Sequence, residues 1–487
     1  MKFKLLSFLL AIVMLAAVTA SCGSGDTGDN ADTNSNDQPS NEAETTTEAE
    51  VYYLDTIPKE DYAGASFTIF AQHMPTRPNF SIGELNGDVL NDALYNRITE
   101  LEVRYNIDII ELGLEDRGQV RTNVSNAVMA DDPAYDIVMT SMADGMSTLM
   151  PSGYLYNLNS LPTIDLSQQW WSQSCNENLQ FSNKLYVTSG AITAFYYYTP
   201  MVMTFNTALS EDYGKTDIYN TILDGKWTID LLQSYMTDVA HDLNGDNVMN
   251  ADDFYALLLD DEAGKALFVG SGGKLTEKTN DGYSLALDSD GNQQVLDKLN
   301  GIFKDRNTVM YFQSITADNV KLFTESRSLF CIITMMNVIN DFRSMEDDYG
   351  IIPLPKLDES QSEYYTHGNP WGPGGVGVPI TCRNPELTGL VMESLAFISH
   401  ETVIPAVYEI TLQEKIARDQ NSKAMLDLIY RDIRFDLNSI YDFGGSSSLL
   451  RTYASGVTDN FASAYAALSE KANTALQDII DKQAEIN

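Results

Sequence analysis

The sharpest chemistry-bearing spacing in the chain runs from Asp242 to Asp253, D-L-N-G-D-N-V-M-N-A-D-D. Oxygen-bearing side chains stand at the first (Asp242), third (Asn244), fifth (Asp246), ninth (Asn250) and twelfth (Asp253) places, and Val248 at the seventh offers its carbonyl. Calcium takes about six to eight hard oxygens on a tightly wound loop, and alternate-residue spacing turns them inward, the layout of EF-hand and dockerin-like loops. Asn247 stands sixth, where Gly is usual, and Asn tolerates the left-handed backbone required there. Asp253 replaces the usual Glu. The loop is expected to hold Ca2+ in a structural role, as a staple between helices. The plain alternative is an acidic surface turn.

Catalytic spacings are missing. The chain has no G-x-S-x-G, H-E-x-x-H or P-loop, and only four His. Besides Cys22, the cysteines are Cys175, Cys331 and Cys382, too scattered for a disulfide framework. Without a C-x-x-C or a Cys/His cluster, zinc is not expected, and the three read as buried thiols. A glycoside hydrolase would need two carboxylates about 5–10 Å apart across a cleft. With 69 acidic residues some pair can always be imagined, so composition carries no weight, and no enzyme is expected.

The elements that must position any site read as mixed α/β. Ser66 to Phe70 is a strand by composition, Asp88 to Tyr105 a helix, and Ile107 to Leu112 a second strand. In that helix Leu90, Leu94, Arg97, Ile98, Leu101 and Tyr105 recur at helical spacing. A helix at 119–130 and a strand at 135–140 follow, ending at Ser141 to Gly145. Strand–helix–strand–helix–strand argues for a largely parallel sheet, with ligands outside the carboxyl ends of the strands. That places His73, Ser141 and Asp144 at a binding edge. Further strands are expected at 184–188, 201–205, 328–334 and 350–353. Helices are expected after the N-cap Thr228, over 385–399 and over 461–483. Trp170-Trp171 reads as packing.

The N-terminus sets the compartment. Lys2 and Lys4 precede an apolar run from Leu5 to Val18, then Thr19-Ala20-Ser21-Cys22. Such a run is a signal-peptide core. Residues 23–50 lack Lys, Arg and aromatics and cannot bury enough apolar surface to order themselves, so they read as a solvated tether. No later segment reads as a membrane span. The formal charge is −39, and losing Lys2 and Lys4 with the signal takes it two lower, to −41. Such a surface repels nucleic acid and anionic headgroups. About 435 residues remain after the tether, enough for two lobes with cores.

Cys22 after small residues resembles the lipobox of bacterial lipoproteins, with Thr19 where Leu is usual. Further segments are Gly87 to Ala93, Tyr135-Asp136-Ile137-Val138, Gly153 to Leu158, Trp170-Trp171 and Lys184-Leu185-Tyr186. Phe205-Asn206, Gly225-Lys226-Trp227-Thr228, Tyr349 to Lys356 and Val378-Pro379 complete the series. In that order, over about residues 64 to 420, they resemble the extracellular solute-binding proteins of bacterial carbohydrate ABC transporters, of the Firmicutes lipoprotein type. The resemblance implies a two-lobed, periplasmic-binding-protein-like α/β fold with a hinge and an interlobe ligand cleft. It implies lobe 1 over 64–198 plus 375–432 and lobe 2 over 199–374 plus 433–487. It also implies a monomer lipid-anchored at Cys22 on the outer face of the cytoplasmic membrane, with permease subunits as partners.

Sugar rings stack their C–H faces on aromatic rings, and the chain has 26 Tyr and 4 Trp. Phe195-Tyr196-Tyr197-Tyr198 falls at the implied first crossover, and Trp371, within the Gly/Pro-rich stretch 368–377, near the second. Trp371, Tyr196 and Tyr197 are therefore candidate ligand contacts, with His73, Ser141, Asp144 and Asn337 as polar support. The alternative for each aromatic is ordinary core. A peptide or polyamine remains an alternative ligand, because an acidic cleft would suit a cation.

Overall fold

Strands and helices alternate first. β1 (Ala65–Gln72) leads to α1 (Val89–Tyr105), β2 (Ile107–Leu114), α2 (Arg117–Met129) and β3 (Ile137–Thr140). The computed structural model describes residues 52–74, 80, 83–280, 282–313, 317–342, 345–413 and 420–486. The leader, the tether and Cys22 lie outside them. β2 and β3 both run parallel to β1. Asp88 caps α1 by accepting from the Asn91 N–H, and Asn106 ends it in the left-handed conformation. The six residues singled out by helical spacing are all buried.

One of the six is a cation. Arg97 donates to the Phe80 and Ile192 carbonyls and to Ser399 Oγ (2.5, 3.2 and 2.8 Å), and burial pushes its pKa down to about 9. These bonds, from both terminal nitrogens, offset part of the cost of burying the charge, while Nε has no partner among the described residues.

The chain then builds a second sheet. It contains β4 (Met201–Asn206), β5 (Tyr255–Leu259), β6 (Val309–Tyr311), β7 (Ser328–Thr334) and β8 (Tyr349–Ile352), with α3 (Asp261–Gly270) directly after β5. Its order is β8-β4-β7-β5-β6. Every residue of β4, β5, β7 and β8 is buried, as continuous apolar runs in a covered sheet must be.

The return path is short. β9 (Thr366–His367) precedes β10 (Gly375–Gly377), which joins the first sheet antiparallel to β3. α4 (Pro385–Gln413) packs on α1, and α5 (Gln420–Arg431) follows. β11 (Ile433–Arg434) pairs in parallel with β9. α6 (Leu437–Tyr441), α7 (Ser448–Ala454) and α8 (Phe461–Glu485) complete the chain, with α7 packed on α3. The backbone thus passes between the sheets near residues 199–200, 366–374 and 431–435. Pro200 bridges to Gly368, which stitches the first two passages side by side.

Several expectations change. Residues 184–188 are extended but form only isolated bridges, because Thr188 meets Val376 at one residue and the segment then turns away. The helix from Pro385 runs fourteen residues past Ser399, through Pro405. By length and composition Pro385–Thr411 could cross a membrane, against the expectation that no later segment could, but 72% of its apolar window is buried in the fold. α5 packs on β8 of the second sheet.

Within α4, Glu393 explains the tryptophan pair. Its carboxylate accepts from the indoles of Trp170 and Trp171 (both 3.1 Å), the Tyr53 hydroxyl and the Asp165 N–H (both 3.0 Å). Burial raises its pKa against those bonds. The pair is structural, held by one acid.

Candidate functional site

Where the passages meet, Trp371 leaves 43% of its surface exposed. The loop behind it is glycine-rich, and Asn369 Oδ1 accepts the Trp371 N–H, turning the backbone outward. Indole Nε1 donates to Glu262 Oε1 (3.2 Å), on the first turn of α3. Arg117, at the start of α2, lies with its guanidinium 5.0 Å from the ring centroid. The platform is therefore fixed by its edge to the second sheet's helix and by one face to the first sheet's helix.

Glu262 is a hub. Lys265 Nζ stands 2.7 Å from Oε1 and His367 Nε2 3.4 Å from Oε2. Burial acts to raise the Glu262 pKa, but the ammonium of Lys265 and the bond from His367 outweigh it and hold the acid down at about 2. His367 lies on β9, so this carboxylate joins the platform to the crossing strand itself.

A cavity of about 320 Å³ opens beside the indole, lined by Ala143, Asp261, Glu262, Lys265, Ser439 to Asp442, Ser447, Ser448 and Arg451. Two of its three acids are ion-paired, Glu262 with Lys265 and Asp261 with Arg451 at 3.5 Å. Asp442 accepts from the N–H and hydroxyl of Ser448 (2.8 and 2.6 Å), at the start of α7. Three hydroxyls are not matched. Ser439 Oγ, Tyr441 Oη and Ser447 Oγ are buried with no hydrogen-bond partner among the described residues. Native proteins rarely leave such groups unpaired.

A second cavity of about 220 Å³ also touches Trp371, lined by Met74, Arg117, Phe195, Tyr198, Thr199, Thr334, Met336, Asn369 and Gly372.

Of the residues expected to meet ligand, Trp371 lines both cavities. Tyr196 and Tyr197 line neither. Residues 195–198 form one helical turn, so Phe195 and Tyr198 share the cavity face, as residues three apart do. Tyr196 and Tyr197 point back, against Phe435 and Tyr430. Ser141 is buried, its N–H given to Gln72, and Ala143 faces the cavity instead. Asp144 contributes indirectly, by accepting from Arg117 (3.1 Å) and Arg121 (2.5 Å). His73 pairs with Glu111 at 2.8 Å, and Met74 is the lining residue. Asn337 is held within its helix by Thr334 and Asp341, and Met336 lines the cavity.

The segment from Ser439 to Arg451 was missed by sequence reasoning. Its signal was the run S-I-Y-D-F-G-G-S-S-S, polar and small beyond what a helix pair needs.

The segment from Asp242 to Asp253 is held by its own hydrogen bonds. Asp242 accepts the N–H groups of Asn247 and Gly245, which lower its pKa, and Asn247 takes φ +61°. Asp253 is buried and accepts from Leu243 and Asn250. Among the described residues no three His, Cys, Asp or Glu side chains form a metal-holding group. Any fit therefore rests on the mixed set of carboxylates, amides and the Val248 carbonyl. Cys175, Cys331 and Cys382 are buried and unbonded.

No protein-family model matches the sequence, and no curated protein matches it. Solved structures do. The GacH receptor of Streptomyces glaucescens, solved unliganded and with acarbose, shares 13% identity at a TM-score of 0.51, over 86% of this chain and 99% of its own. A cyclo/maltodextrin-binding protein complexed with maltotetraose shares 15% at 0.52, over 87% and 97%. An ABC transporter solute-binding protein from Thermotoga lettingae, bound with alpha-D-tagatose, shares 14% at 0.52, over 85% and 100%. The chain has their two-lobed α/β fold.

Asp260, just before the cavity acids, caps α3 through the Ala263 N–H (2.7 Å), while its Oδ2 is buried and partnerless among the described residues. Burial raises its pKa to about 8. A folded-state pKa above the unfolded one means the protonated acid contributes its stability in full below about pH 4 and loses it as pH climbs through the folded value. Asp260→Asn should therefore gain stability relative to the native chain between about pH 5 and about pH 8. Urea midpoints would show it, and a gap that grows on acidification instead would refute this protonation state.

Proposed function

We propose that the chain is an extracellular solute-binding protein that captures a carbohydrate in the cavity beside Trp371 and delivers it to the permease of an ABC importer. One observation carries the reading: three buried, unpaired hydroxyls and matched ion pairs surround a half-exposed indole at the passages between the sheets. The ligands named for the similar folds, acarbose, maltotetraose and tagatose, are consistent with it. Asp261 and Glu262 already face Arg451 and Lys265, which leaves Asp442 as the lining acid a polyamine or a peptide amine would have to use.

A thermal-shift and calorimetric screen of saccharides, with amino acids, peptides and polyamines as controls, should give hits among saccharides. A ligand at 100 times its Kd adds about 2.7 kcal/mol of stability. Trp371→Ala should weaken the hit about thirtyfold, the loss of a central aromatic anchor. Hits confined to cations or peptides would reject the ligand class.

The reading includes an anchor and an ion. Leu5 to Val18 followed by Cys22 supports export and diacylation, leaving a monomer tethered to the outer face of the membrane. Cys22→Ser should move the protein from the membrane fraction to the medium, and retention would argue against lipidation. In the calcium loop, Asp242, Asn244, Asp246, the Val248 carbonyl, Asn250 and Asp253 would hold the ion and staple the turn. Calcium should raise the melting temperature of the native chain by a few degrees but not that of Asp246→Ala. Equal responses would reject the site.

A further inference from the structure

The two cavities that share Trp371 differ in chemistry. The larger is lined by Ser439, Tyr441 and Ser447, whose buried hydroxyls have no hydrogen-bond partner among the described residues. In the smaller, the polar groups are largely committed. Thr199 Oγ1 donates to the Tyr196 carbonyl (3.0 Å) and Thr334 Oγ1 to Asn337 Oδ1 (2.5 Å). Asn369 Oδ1 accepts from Trp371 N (3.0 Å), and Arg117 is held by Asp144. What remains on the walls is Met74, Phe195, Tyr198 and Met336, with the indole.

From this contrast we infer that the ligand is a glycoside with an apolar, aromatic aglycone. The sugar ring lies among Ser439, Tyr441 and Ser447, and the aglycone among Phe195, Tyr198 and Met336, with Trp371 between them. The inference rests on the carbohydrate reading above and narrows it. A second sugar unit would bring hydroxyls to a compartment with few groups to receive them, and burying a hydroxyl unpaired is costly. An aryl group brings none, and the thioether and ring faces suit it.

The test uses the full-length protein and titration calorimetry with matched probes. The p-nitrophenyl and methyl glycosides of glucose, galactose, mannose and xylose, in both anomers, are compared with the corresponding disaccharides. For whichever sugar binds, the aryl glycoside should bind about tenfold or more tighter than the methyl glycoside, the gain expected from burying one ring. Met336→Asp should bring that aryl-to-methyl ratio close to one. Ser447→Ala should weaken both probes and leave the ratio standing. Equal aryl and methyl affinities, or a disaccharide gaining where the aryl group does not, would overturn the aglycone while sparing the carbohydrate reading. Silence across every glycoside would overturn both.

Discussion

Glu262 carries one carboxylate to three donors: Lys265 on its own helix, His367 on the crossing strand and the indole of Trp371. Taking a carboxylate out of water costs several kcal/mol unless it is paired and hydrogen-bonded. Glu262 satisfies both conditions by drawing the binding platform, the second sheet's helix and the strand between the sheets to one point. The rest of the cleft follows. Trp371 can stand half in solvent without rotating away, because its edge is tied to Glu262 and one face is covered by Arg117. Arg117 is in turn steadied by Asp144 from the end of β3.

The strong overall acidity and the cleft obey different rules. Surface charge is solvated and spread, and it serves solubility. Around Trp371, Glu262, Asp261 and Arg117 each have a counterion, and Asp442 is held by Ser448.

Much of the fold was legible in the sequence. Helical spacing in α1 and the apolar runs of β4, β7 and β8 are local signals, and tertiary packing reinforces them. Lys184 to Thr188 shows where the signal fails: its composition is strand-like, but pairing was a matter of what lay alongside. The site was legible by segment and often missed by one or two residues. Met74 beside His73, Met336 beside Asn337 and Ala143 beside Ser141 line the cavities. So do Phe195 and Tyr198, rather than the two tyrosines between them. Strand-end reasoning locates a loop but does not fix which way its side chains point. For 195–198 the answer turned on a single helical turn where extended chain was equally plausible. Ser439 to Arg451 was invisible for another reason. It reaches the cleft only because the chain crosses back at β11 and lays α7 against α3, a long-range outcome with no local periodicity. The buried hub at Glu262 was likewise hidden, since nothing in D-E-A-G-K distinguishes an exposed helix start from this one.

The most direct test of the central claim is a crystal structure of the protein with a bound saccharide. The sugar ring should lie against Trp371 with its hydroxyls bonded to Ser439, Tyr441 and Ser447, while Glu262 keeps its bond to the indole. A sugar bound elsewhere, or one that leaves those three hydroxyls unpaired, would contradict it.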